Sequence, residues 1–222
     1  MKEFISDYSD LAKDYDDIRY TKLADRFIDL LRKNCFQKLL KPHKKMAVLD
    51  VGTGTGSGVI FFANEVDKIV GADATKEMLD IARQKTQNLK NVDFIQCNAL
   101  EIPFEDETFD AVISLNFVHL FVPQGIEQQK KFVQEMQRVV KKTGHIIIEF
   151  DNKMHYKELG NTYSELFKMS DMKICDILGV SLPLTKKMFS CSKTLAKLYS
   201  FLPHYRPFKY LAHRWVVDFE KS

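Results

Sequence analysis

The chain has 222 residues, which fits one domain with a full core. Hydrophobic residues make up 45% and charged residues 28%, the balance of a soluble globular protein rather than a disordered or fibrous one. A formal net charge of +3 is too small to argue for a nucleic-acid partner, and no apolar run is long enough to span a bilayer.

The first residues, MKEFISDYSDLAKDYDD, are acidic and lack a signal-peptide core, so a cytoplasmic protein is expected. Cys35, Cys97, Cys175 and Cys191 are scattered without metal-ligand spacing, as reduced thiols are. Leu23, Phe27, Leu30 and Leu31 keep helical spacing, which predicts an amphipathic helix over Thr21–Leu40, ended by Pro42 and His43. Met46–Val51 reads as a buried strand. The acidic Asp50 sits at its end, and Gly52, Gly54 and Gly56 follow in alternation. Side-chain-free positions let the backbone turn tightly and approach a ligand. The apolar stretch Val59–Ala63 makes the loop feed a short helix, to Asn64, whose first amides can face that ligand.

Lys68–Asp73 predicts a second strand, Thr75 the N-cap of a helix to Asn88, Val92–Gln96 a third strand and Phe109–Leu115 a fourth. Ile126, Val133, Met136 and Val140 line a helix over Gln124–Lys142. Gly144 is read as its stop and His145–Phe150 as the fifth strand. A loop or helix to Met169, a strand over Met172–Gly179 and a last strand over Trp215–Glu220 follow. The expected fold is α/β: a doubly wound, Rossmann-like, mostly parallel seven-stranded sheet with helices on both faces. There is no internal repeat and no metal-ligand cluster. A single domain is expected, with a helical cap over 1–44, a cofactor-binding core over 45–151 and an acceptor-site and lid region over 152–222.

Spacing narrows the ligand. A dinucleotide loop needs G-x-G-x-x-G, but the sixth position is Ser57, Val59 or Phe61 in the three possible frames. A Walker loop needs Gly-Lys-Ser/Thr, and the loop has no lysine. What stands here is Asp-x-Gly-x-Gly-x-Gly. It resembles the first motif of the class I S-adenosylmethionine (SAM)-dependent methyltransferases. Asp73 closes the second strand, where an acid can accept both ribose hydroxyls of a nucleoside. Its alternative is an acid stabilised by the dipole of the following helix.

The resemblance continues in Asn98-Ala99-Leu100-Glu101-Ile102-Pro103-Phe104, where the family usually has Asp-Ala before Leu-Pro-Phe, and in the fourth strand. Asn98 replaces the usual aspartate, but its amide oxygen can still accept from an adenine amino group. The alternative is a loop residue bonding its own backbone. Tyr8-Ser9-Asp10-Leu11-Ala12-Lys13-Asp14-Tyr15-Asp16-Asp17-Ile18-Arg19 is similar to the N-terminal segment of small-molecule methyltransferases. That similarity implies a segment folded over the cofactor, with Tyr15 beside the sulfonium and Arg19 on the methionine carboxylate. The alternative is tyrosines packing on the core.

The same resemblance implies cofactor contacts for Asp50, Gly52, Thr53, Gly54, Gly56, Ala74, Met78, Ala99, Leu100, Leu115 and Asn116, with Phe117 as a pocket neighbour. His119 is the candidate base for an acceptor that must lose a proton, against a histidine that bonds backbone. A helical insertion before the last strand is implied to cover the acceptor. Here Thr185–Arg214 is basic and aromatic, with no Asp or Glu. An anionic or lipid-like small molecule, or peripheral membrane contact, suits it. Solvated lysines on packed helices are the alternative. The implied activity is methyl transfer from SAM. A nicotinamide oxidoreductase, a non-catalytic SAM- or SAH-binding protein and an RNA methyltransferase are the other readings. The absence of Asn/Asp-Pro-Pro-Tyr/Phe after the fourth strand lowers the nucleic-acid one.

Overall fold

The computed structural model describes residues 8–151, 172–180 and 214–221. Five strands run parallel: β1 (Ala47–Val51), β2 (Lys68–Asp73), β3 (Val92–Gln96), β4 (Phe109–Ser114) and β5 (Val140–Asp151). β6 (Met172–Val180) and β7 (Arg214–Lys221) complete one side by antiparallel pairing. The spatial order is β3-β2-β1-β4-β5-β7-β6. The chain winds outward from β1 to β3, then crosses back to place β4 on the other flank of β1. A crevice opens at such a reversal, beyond the carboxyl ends of β1 and β4.

Alternation along the strands explains why both faces are covered. Val48, Ile69, Ala111, Ile113 and Ile147 pack with Leu31 and Phe36 of α2 (Leu23–Leu40) and Phe62 of α3 (Ser57–Phe62). Leu49, Val51, Val112, Ile146 and Ile148 pack with Phe132, Val133 and Met136 of α5 (Ile126–Val139). α4 (Lys76–Thr86) follows β2, and the short α1 (Tyr15–Arg19) and a 3₁₀ turn at Ser9–Leu11 precede α2. The α/β, mostly parallel arrangement is the one expected from the alternating pattern.

Two local expectations need correction, at Leu30 and at Thr75. Of the predicted α2 stripe, Leu31 is buried but Leu30 is 46% exposed; the buried line runs through Ile28, Leu31, Cys35 and Leu39. The helix ends at Leu40 as expected, where Lys41 takes the left-handed conformation (φ 48°) and its N–H donates to Gln37 O. Thr75 is the N-cap residue of α4, but its hydroxyl makes no capping bond.

The largest change is at β5. The helix ends at Val139 and the strand begins at Val140, not at His145. Val140 is fully buried and extended (φ −82°, ψ 141°), as a β-branched residue prefers. The pairing with β4 then jumps from Phe109↔Val140 to Ala111↔His145, so 141–144 bulge out opposite Asp110. Gly144 is therefore not a helix stop. A Cβ there would lie 2.8 Å from the Asp110 carbonyl oxygen, so glycine is set by close backbone approach. The expected loop or helix to Met169 and the stretch Thr185–Arg214, apart from Arg214 itself, lie outside the described residues. Among the described residues no helix is long and apolar enough to cross a membrane.

Candidate cofactor site

The glycine loop leaves β1 at the crevice. Its first two amides, Gly52 N–H and Thr53 N–H, both donate to Ala72 O at 2.8 and 3.0 Å, which ties the loop to the end of β2. Gly52 is left-handed (φ 76°), and a Cβ there would meet the Phe117 ring at 2.2 Å. The position needs glycine for both reasons. Phe117 is held there by edge contacts with Phe121 and Phe132, ring centres 5.4 and 5.6 Å away. A Cβ on Gly54 would meet nothing within 4 Å, so that α-carbon faces open space.

Two carboxylates stand behind the loop. Asp73 at the end of β2 accepts from Gly54 N–H at 2.8 Å through Oδ2 and from Thr75 N–H at 3.0 Å through Oδ1. Burial raises its pKa, against the pull of these amides. Asp50 is 2% exposed. Its Oδ2 accepts from the Thr53 hydroxyl at 2.9 Å, while Oδ1 is buried with no hydrogen-bond partner among the described residues. Burial pushes its pKa up to about 7, only partly offset by the Thr53 hydroxyl.

The N-terminal segment is fastened across the loop. Asp16 accepts from the Thr55 hydroxyl at 2.8 Å and is ion-paired with Lys85 of α4, whose ammonium also donates to Thr55 O. Ser9 donates to Glu77 at 3.0 Å, and the Tyr20 hydroxyl donates to Ser57 Oγ at 3.2 Å. Tyr8 and Tyr15 meet edge to face. The Arg19 guanidinium donates to Tyr15 Oη at 3.2 Å and lies 5.8 Å from the Tyr15 and Tyr20 ring centres.

These parts enclose a cavity of about 410 Å³. It brings together Tyr15, Arg19, Asp50, Gly52, Thr53, Gly54, Asp73, Ala74, Met78, Asn98, Ala99, Leu115, Asn116 and His119 from among the candidate residues. Gly56 and Leu100 are not on its wall. Gly56 is the N-cap of α3, where a Cβ would press on Ala82, and Leu100 packs on the core. Asn98 Oδ1 accepts from Leu100 N–H at 3.0 Å, an Asx turn that uses one of its two acceptor lone pairs. Asn116 is left-handed (φ 53°) directly after β4, and His119 lies in the 3₁₀ segment Val118–Gln124.

Sequence reasoning missed the wall contributed by α2 and its approach. Asp29, Arg32 and Lys33 line the cavity. Lys33 pairs with Asp29 at 2.7 Å and donates to Ser57 Oγ at 2.6 Å. Arg32 is buried and bonds Glu149 of β5 through Nε at 2.7 Å. The segment DLLRK carries these three residues, but nothing in its spacing sets them apart from the other charged residues of the helix. Among the described residues no cluster of three or more His, Cys, Asp or Glu is arranged to hold a metal ion.

Residues 49–148 match the family profile described as Methyltransferase domain. The demethylmenaquinone methyltransferase of Bacillus licheniformis is 39% identical over 113 residues, 50% of this chain and 47% of that protein. The uncharacterized methyltransferase YcgJ of Bacillus subtilis is 35% identical over 103 residues, 46% of this chain and 39% of that one. The match thus spans less than half the length of these curated relatives. A solved structure of a SAM-dependent methyltransferase from Aquifex aeolicus superimposes with a TM-score of 0.64. It covers 96% of this chain and 98% of that one at 19% identity, a likeness of fold.

Proposed function

We propose that this chain, whose residues 49–148 form a methyltransferase domain of the class I SAM-dependent kind, moves a methyl group from SAM to a small-molecule acceptor. One observation carries the reading. The bent glycine loop shares a cavity with Asp73, already aimed by two amides, and with Asp50, whose buried Oδ1 lacks a donor. An orphaned buried acceptor is costly and is explained by a ligand that donates to it. The cavity falls within the usual range of about 300–1,000 Å³ for small-ligand sites. The residues therefore fit the cofactor.

In this reading Asp73 accepts from the ribose hydroxyls and Asp50 Oδ1 from the ammonium of the methionine end. Arg19 pairs with the carboxylate, and the Tyr15 ring flanks the sulfonium. Asn98 keeps one lone pair for the adenine amino group, beside Ala74, Met78, Ala99, Leu115 and Asn116. Gly56 and Leu100 act through the loop and the core instead of by contact. When bound, SAM supplies an electrophilic methyl on a sulfonium that departs as a neutral thioether. The protein's task is then alignment, a contribution of roughly 7–11 kcal/mol. His119 takes the proton of an acceptor that must lose one. Residues 1–44 cap the cofactor, 45–151 bind it, and 152–222, with the basic aromatic stretch Thr185–Arg214, receive an anionic or lipid-like acceptor in the cytoplasm, free or at a membrane surface.

The test is incubation with methyl-labelled SAM and a panel of acceptors, run on wild type and His119→Gln. Demethylmenaquinone heads the panel because it names one relative's substrate. Label in a small molecule supports the proposal. SAM binding without label in any acceptor favours a non-catalytic SAM-binding protein. Label in RNA alone overturns the acceptor class.

A further inference from the structure

A second cleft, of about 730 Å³, opens at the end of the sheet away from the cofactor cavity. Two loops form it. One, KPHKK over 41–45, leads into β1, and the other, KKTGH over 141–145, is the bulged start of β5. The bulge pushes Lys141 and Lys142 out beside Lys41 and His43.

The two acids on the wall act as holders. Asp110 accepts from Lys141 Nζ at 2.7 Å, and its other oxygen accepts from Ala47 N–H at 2.8 Å. Asp218 is 4% exposed and bonds His145 Nδ1 at 2.9 Å. That bond holds the imidazole pKa above its ordinary value and leaves Nε2 as the ring atom a ligand can meet. Lys141 and His145 are thereby held in place on the wall. Lys41 and Lys142 are exposed at the rim and form no ion pair with any carboxylate among the described residues.

We propose that this cleft is a binding site for a phosphate-chain anion, of the diphosphate or triphosphate kind. The wall offers ammonium and imidazole donors, and lysine binds phosphate groups as a point charge. Separate point charges around a concave wall suit an anion whose charge is spread over several groups. Lysines outnumber the two paired acids on the wall, and such an excess of positive charge in a concave site concentrates an anion. At about 730 Å³ the cleft has room for more than a lone monophosphate. The site lies on the opposite end of the strands and stands independently of the methyl-transfer reading.

The test is isothermal titration of the full chain with inorganic tripolyphosphate. Inorganic phosphate and a single-stranded RNA oligomer are titrated in parallel, with and without saturating SAM. The double variant Lys41→Gln/Lys142→Gln changes two exposed side chains, and its thermal melt checks that it folds. Saturable tripolyphosphate binding that SAM does not displace, weakened by about tenfold or more in the double variant, is the expected result. No saturable binding to the wild type, equal affinity in the variant, or displacement by SAM overturns the proposal. RNA binding without tripolyphosphate binding also overturns it.

Discussion

Replacing Asp50 by asparagine should stabilise the ligand-free protein at pH 8 relative to pH 5. The carboxyl is 2% exposed and keeps one bond, from Thr53. Burial lifts its pKa from 3.8 to about 7. Between these values the folded protein holds a proton that the unfolded chain has released, so stability falls as pH rises through this window. Above pH 7 the whole cost of a buried charge is present, an order of magnitude of about 4 kcal/mol at 1.36 kcal/mol per pK unit. The asparagine side chain would be neutral throughout. It would keep an acceptor for the Thr53 hydroxyl but place an amide N–H₂ where Oδ1 is orphaned, at a cost of about 1–3 kcal/mol. That cost is the same at both pH values and cancels in the comparison. Urea unfolding of wild type and Asp50→Asn at pH 5 and pH 8 reads the result. The variant-minus-wild-type difference should be more favourable at pH 8 by roughly 2–4 kcal/mol. Parallel pH profiles would refute the argument that burial controls Asp50.

Other consequences follow from the same geometry. Arg32→Met should cost about 3–5 kcal/mol in urea unfolding, because it removes the guanidinium that lies 2.7 Å from the buried Glu149 carboxylate; a loss below about 1 kcal/mol would contradict that. Gly52→Ala should cost about 1–2 kcal/mol in left-handed strain and displace Phe117 as well. Calorimetry should show SAM affinity falling with it, and unchanged affinity would mean that the loop tolerates a side chain. His119→Gln should lower kcat by about 10²–10⁴ with an acceptor that loses a proton, while KM for SAM stays unchanged. A matching rise in KM would make His119 a binding residue.

What the sequence disclosed and what it hid divide along the range of the forces involved. Lys68–Asp73 and Val92–Gln96 were legible to the residue, the first as an apolar run between polar ends, the second as a short stretch that includes Val, Phe and Ile. The glycine loop was legible because left-handed turns leave a mark in residue type. Gly144 left the same mark for another cause: it was read as a helix stop, but the adjacent Asp110 backbone sets it, and strand pairing is not local. The buried Arg32–Glu149 pair joins residues 117 apart and had no local signature. The buried line of α2 was only partly legible for the same reason. Leu31 is buried as its spacing predicts, but Leu30 is exposed and Ile28 is buried beside it instead.

The most direct test of the central claim is a thermal-shift titration with SAM, its demethylated product, NAD and NADP on wild type and Asp73→Ala. A ligand at about 100 times its dissociation constant stabilises the native state by roughly 2.7 kcal/mol, a readily visible shift. Stabilisation by SAM and its product alone, lost in Asp73→Ala, is the predicted result. Stabilisation by a nicotinamide nucleotide instead, or by none of the four, would contradict the assignment.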